Sequence, residues 1–176
     1  MEQFVIISGC SSGGKSSLLA ELARRGFAVV EEPGRRIVRQ EQARGGDALP
    51  WVDPVAFGRR ALAMARDDRE AARGASGWVF FDRGLIDAAA ALERMVGEAL
   101  SQNIGAADRY HRRTFLAPPW PEIYVTDPER RHGIDAAMVE YRHLLTVYAS
   151  LGYEAVILPK ASVVERADFV LRTLAE

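Results

Sequence analysis

Cysteine is all but missing from this chain. Cys10 stands alone, which excludes an internal disulfide. With no basic-then-apolar leader at the start, that predicts a reducing, cytoplasmic setting. Net charge is equally scarce: 23 basic against 24 acidic side chains leave −1. Such a balance makes no field that would gather nucleic acid or an anionic membrane, so any anion binding must be local. No apolar run approaches the ~20 residues that cross a bilayer. Internal repeats, low-complexity tracts and linkers are also lacking, and 48% hydrophobic with 27% charged composition predicts one folded domain over residues 1–176. Lysine is the last scarcity. Lys15 and Lys160 are the two lysines among 23 basic residues, the rest being arginine. A chain that otherwise uses arginine has kept lysine at position 15.

That lysine ends the most informative stretch, Phe4 to Leu19, where an apolar run breaks into glycine and serine and then becomes helical. Gly9, Gly13, Gly14, Lys15 and Ser16 satisfy G-x-x-x-x-G-K-[ST], with a strand pattern before and a helix pattern after. Glycines let the backbone curl around a phosphate with its N–H groups pointing inward, because a Cβ would block both the dihedrals and the approach. The helix that follows adds its positive N-terminal end. The expected phosphate ligands are Gly9, Ser12, Gly13, Gly14, Lys15, Ser16 and Ser17. Lys15 would reach the β- and γ-phosphates, and the Ser16 hydroxyl would hold Mg²⁺. Cys10 is read as filler in this loop.

Along the chain, residues 16–25 predict a first helix and 27–30 a second strand, closed by Glu31, Glu32, Pro33 and Gly34 as a break. Residues 35–43 can be helical, and 45–50 read as loop. Asp53 and Pro54 supply a cap and a first-turn proline for a helix over 55–73. Trp78 to Phe81 predicts a strand buried on both faces, ended by Asp82. From Gly84 to Ala117 the pattern predicts helix with a break near Asn103 to Gly105, and the polarity alternation from Glu122 to Thr126 predicts the fourth strand. A helix over 135–151, a fifth strand over 154–158 and a last helix opened by the Ser162-x-x-Glu165 capping box complete the chain. Strands alternating with helices imply right-handed parallel crossovers and a sheet covered on both faces.

Three further groups lie near predicted strand ends. Asp82 would hold Mg²⁺ beside the phosphate loop, or cap the next helix; Arg83 would reach a phosphate, or lie on the surface. Glu32, fixed before Pro33, would orient an acceptor hydroxyl and take its proton, with Glu31 the lesser candidate; the pair could equally be solvated turn carboxylates. Arg130 and Arg131, between the expected fourth strand and Gly133, would close over a nucleotide, or form a solvated charge run. The three histidines lack partners at metal-binding spacing, and the basic aromatic cluster from Tyr110 to Arg113 is too small to suggest nucleic acid.

With ISGCSSGGKSSLL, VVEEPGRRIV, VFFDRGLIDAAA, PPWPEIYVTDPERR and LGYEAVILPKASVVERADFVL in view, the chain resembles P-loop proteins of the AAA domain 28 type, relatives of nicotinamide riboside kinase domains. More distantly, Glu32-Pro33-Gly34 and Asp82-Arg83 are similar to signatures of deoxynucleoside and thymidylate kinases. The resemblance implies a three-layer α/β fold with a five-stranded parallel sheet in the order 2-3-1-4-5, an ATP site, a lid carrying Arg130 and Arg131, and base contacts from Pro159, Lys160 and Ala161. The function expected is a magnesium-dependent phosphotransferase that uses ATP and a small hydroxyl-bearing, nucleoside-like acceptor. An ATPase or nucleotide-dependent switch without such an acceptor is the alternative.

Overall fold

The computed structural model describes residues 3–123 and 134–176. Five strands, β1 (Phe4–Gly9), β2 (Ala28–Val30), β3 (Val79–Asp82), β4 (Arg113–Ala117) and β5 (Glu154–Ile157), pair in parallel in the order β2-β3-β1-β4-β5. This is the order expected. The helices are α1 (Lys15–Arg24), α2 (Pro33–Arg44), α3 (Pro54–Ala71), α4 (Leu85–Val96), α5 (Leu100–Asn103), α6 (Ile134–Ser150) and α7 (Val163–Ala175).

Side-chain alternation along β1 divides the core in two. Phe4 and Ile6 pack with α3, α4 and α6 residues such as Leu62, Leu92 and Tyr148, whereas Val5 and Ile7 pack with Leu18 and Leu22 of α1 and Val170 of α7. All four of these β1 side chains are fully buried, as a central parallel strand requires. Local chemistry explains the helix ends. Asp53 accepts from the Ala56 N–H at 2.9 Å at the start of α3, and Ser162 and Glu165 close the reciprocal capping box of α7.

Two expectations need correction. The fourth strand of the described sheet is Arg113–Ala117 rather than the expected Glu122 to Thr126: Glu122 and Ile123 belong to a single 3₁₀ turn, Pro121–Ile123, and Tyr124 to Thr126 lie outside the described residues. The helical reading up to Ala117 fails with it, since β4 occupies Arg113–Ala117. Thr114 to Ala117 is a short, wholly buried run that fits only between β1 and β5, and the prolines after it end the strand. The third difference is smaller. Pro33 and Gly34 do not break the chain but begin α2, with proline in the first turn, where its missing N–H costs nothing.

Candidate active site

The loop between β1 and α1 is built as its glycines predict. Gly9 has φ +107° and Gly14 φ +76°, left-handed values that a Cβ would oppose. A Cβ on Gly9 would stand against the Ala117 carbonyl and 2.5 Å from its nitrogen, so β4 can lie this close only beside glycine. The Cys10 N–H then donates to the Ala117 carbonyl at 2.8 Å and ties the loop to the sheet. Lys15 opens α1, is 5% exposed, and donates from Nζ to the Cys10 carbonyl at 2.7 Å. Burial, with Arg83 nearby, holds its ammonium below the ordinary pKa, while Asp82 and Glu32 oppose that shift.

At the end of β3, Asp82 is 5% exposed and its Oδ1 is buried with no hydrogen-bond partner. Burial, reinforced by the like charge of Glu32, pushes its carboxyl up to about 6, although Lys15 and Arg83 pull the other way. Asp82 does not cap the next helix: Gly84 holds that position, and its N–H is taken by Asp87 Oδ2 at 3.1 Å.

Arg83 turns the chain at φ +60°, a strained value for a residue with a side chain. Its guanidinium reaches the Gly9 carbonyl at 3.2 Å and three carboxylates: Glu140 of α6 at 2.8 Å, Glu32 at 3.4 Å and Asp87 of α4 at 3.5 Å. Burial works against its charge, but the surrounding carboxylates, Glu140 foremost, outweigh burial and hold it firmly protonated.

Two clefts open along this carboxyl edge of the sheet. One, of about 600 Å³, is lined by Ser12, Lys15, Ser16, Ser17 and Arg166 among others; the second, of about 230 Å³, has Glu32, Arg83 and Glu140 over a floor that includes Val38, Phe57 and Ala61. Among the described residues only Arg35 lines both. It is bound to Glu32, Nε to Oε2 at 3.2 Å. The first cleft thus presents loop backbone, an ammonium and hydroxyls, a donor set for phosphates. The second presents carboxylates over an apolar floor.

A family model for the AAA domain of the AAA_28 type matches residues 4–166. The chain belongs to that family. Similar solved structures agree in fold with this AAA domain. Deoxyadenosine kinase from M. mycoides with bound dATP shares 14% identity over 99% of this chain and 100% of its own, at TM-score 0.63. The NadR protein in complex with NR shares 21% over 98% of this chain and 50% of its own, at TM-score 0.68. Thymidylate kinase from Ehrlichia chaffeensis shares 16% over 98% of both chains, at TM-score 0.62. No curated protein matches the chain.

Of the residues singled out in the sequence of this AAA domain, the structure brings Gly9, Ser12, Gly13, Gly14, Lys15, Ser16, Ser17, Glu32, Asp82 and Arg83 to one edge of the sheet. Pro159, Lys160 and Ala161 form the loop from β5 into α7 at that same edge. Glu31 points elsewhere, into an exposed pair with Arg39. Arg130 and Arg131 lie outside the described residues.

Three site residues escaped sequence reasoning. Arg166, 5% exposed on α7, donates to the Gly14 carbonyl at 3.0 Å and lies over the Trp120 ring, 5.4 Å from its centroid. Its signal was legible: it occupies the buried stripe with Ala167, Val170 and Leu174, where an apolar side chain belongs. Asp87 is the lone carboxylate in the apolar start of α4, and it accepts from Ser8 of β1 and from the Tyr148 hydroxyl of α6, the latter at 2.7 Å. Glu140 gave no signal, since its partner Arg83 is distant in sequence.

Proposed function

We propose that this AAA domain is a phosphotransferase that moves the γ-phosphate of magnesium-bound ATP to a hydroxyl of a small, nucleoside-like acceptor. The observation that carries the reading is the meeting of two chemically different clefts at Glu32 and Arg35. Proteins of the same fold whose names describe kinases of deoxyadenosine, thymidylate and shikimate lend support.

In this reading the backbone of Gly9, Ser12, Gly13 and Gly14, with Lys15, Ser16 and Ser17, cradles the phosphates, and Pro159, Lys160 and Ala161 face the base. The residues present suit a divalent cation, because Asp82 Oδ1 is a buried carboxylate oxygen with no partner at the end of β3 and the Ser16 side chain is exposed at the start of α1. Mg²⁺ held by Ser16 and Asp82 would offset phosphate charge during transfer. Glu32 orients the acceptor hydroxyl and accepts its proton as the new oxygen–phosphorus bond forms and the bond to the departing diphosphate breaks. Arg83 holds Glu32 in place, and Arg130 and Arg131 are assigned to closure over the nucleotide.

The test is a panel of nucleosides and small alcohols incubated with ATP, read as acceptor-dependent release of ADP. Dependence on one class supports transfer. ADP release unaffected by every acceptor would favour a hydrolytic switch instead. Lys15→Ala should abolish nucleotide binding in calorimetry, and retained micromolar affinity would remove the phosphate-loop assignment.

A further inference from the structure

We propose that Glu140 makes the second cleft selective against anions: by engaging Arg83 it leaves the cleft without an unshared cation among the described residues, so the molecule that fits is a neutral or cationic hydroxyl compound carrying neither phosphate nor carboxylate. The proposal rests on the phosphotransferase reading for calling that molecule the acceptor. Its charge argument rests on the cleft alone.

The charged groups lining the cleft, among the described residues, are three carboxylates, Glu32, Asp87 and Glu140, and two guanidinium groups, Arg35 and Arg83. Both cations are already engaged. Arg83 is held by Glu140 at 2.8 Å, by Glu32 at 3.4 Å and by Asp87 at 3.5 Å, and Arg35 by Glu32 at 3.2 Å. Burial raises the Asp87 carboxyl, yet Glu32 and Glu140 alone match the two guanidiniums. Lys15 lines the other cleft and donates to the Cys10 carbonyl. A phosphate or carboxylate entering here would have to displace an existing ion pair and leave a carboxylate beside an anion. A hydroxyl meets acceptor oxygens instead, and an apolar ring meets Val38, Phe57 and Ala61 on the floor.

The position of Glu140 is not left to a surface side chain's freedom. It shares a face of α6 with Leu144 and Tyr148, one and two turns further on, and both of those are buried. The Tyr148 hydroxyl donates to Asp87, so the helix that carries Glu140 is anchored to α4 beside Arg83. Glu140 therefore arrives at Arg83 from a fixed platform.

The experiment compares the wild-type protein with Glu140→Gln, titrating each with thymidine, thymidine monophosphate and shikimate in calorimetry. Any binding of the monophosphate at the phosphate loop is common to both proteins, so the difference between them reports the second cleft. Freed from its shortest pair, Arg83 should raise monophosphate or shikimate affinity at least about tenfold in Glu140→Gln, a gain of about 1.4 kcal/mol. Adding Arg83→Gln should erase that gain. An unchanged anion affinity in Glu140→Gln, or a gain that survives removal of Arg83, overturns the proposal. Glu140 is 35% exposed, so the variant should fold. Should it not, the wild-type protein alone decides: tighter binding of monophosphate or shikimate than of the uncharged nucleoside in the presence of saturating ADP overturns the proposal, and the reverse order supports it. Loss of all acceptor-dependent turnover would count against phosphotransfer without touching these binding comparisons.

Discussion

Replacing Asp82 by asparagine should make the ligand-free protein more stable while disabling it. In the folded chain burial carries the Asp82 carboxyl from its ordinary 3.8 up to about 6, which at about 1.4 kcal/mol per tenfold of proton affinity amounts to a charge penalty on the order of 3 kcal/mol at pH 8. The folded state binds this proton more tightly than the unfolded one. Its contribution is therefore fully present below about pH 4 and is lost as the pH rises through about 6. Asparagine never carries that charge. Lys15 loses a favourable neighbour in exchange, so the net gain at pH 8 should be about 1–3 kcal/mol, and it should vanish near pH 4. Urea unfolding of both proteins at intervals from pH 4 to 8 reads this directly as the separation of two stability curves. If Asp82 holds Mg²⁺ as proposed, added magnesium nucleotide should reverse the order at pH 8, because a carboxylate binds the cation more strongly than a neutral amide does. A variant no more stable than wild type at pH 8, or one whose advantage grows as pH falls, would refute the reasoning.

The remaining expectations concern single contacts. Gly9→Ala combines a left-handed φ with a collision against the β4 backbone, and should cost about 2–4 kcal/mol and lower Tm by roughly 2–4 °C for each. Gly45→Ala, also at positive φ but with open space around it, should cost only about 1–2 kcal/mol; equal melting of the two would show that the close approach of β4 is not what demands glycine. Arg166→Ala should weaken nucleotide binding about tenfold in calorimetry, and undiminished affinity would reduce Arg166 to a tie between α7 and the loop. Glu32→Gln should slow transfer by about 10²–10⁴ while nucleotide affinity changes little, and transfer at the wild-type rate would remove Glu32 as the base.

Much of the frame was legible because its signals are local. The phosphate loop needs glycine at particular dihedrals, the α3 and α7 caps need a polar side chain at a particular offset, and β1 and β3 are apolar up to their carboxyl ends because helices cover both faces. The fourth strand failed for the opposite reason. Arg113–Ala117 is specified by neighbours on both sides, β1 and β5, while the alternation from Glu122 onward is a local pattern that any half-buried strand would show. The site divides along the same line. Lys15, Glu32 and Asp82 stand at the boundaries of elements whose limits can be read from the chain, whereas Glu140 joins Arg83 across 57 positions and Asp87 meets Tyr148 across 61. Arg166 lies between: its anomaly was visible as a charge on an apolar stripe, but not what it would touch.

The two clefts draw mostly on different parts of the chain. The cleft of Lys15 and Ser16 is lined by the β1–α1 loop, the start of α1, Trp120, Ile123 and the start of α7, the carboxylate-lined cleft chiefly by α2, α3, α4 and α6 with Ser11 and Arg83, and among the described residues only Arg35 borders both. Phe57 and Ala61 both stand on α3, which lines the second cleft and contributes no residue to the lining of the first. Such a division makes α3 the place for redesign: the shape of the second cleft can be varied at Phe57 while the residues that line the first are left as they stand.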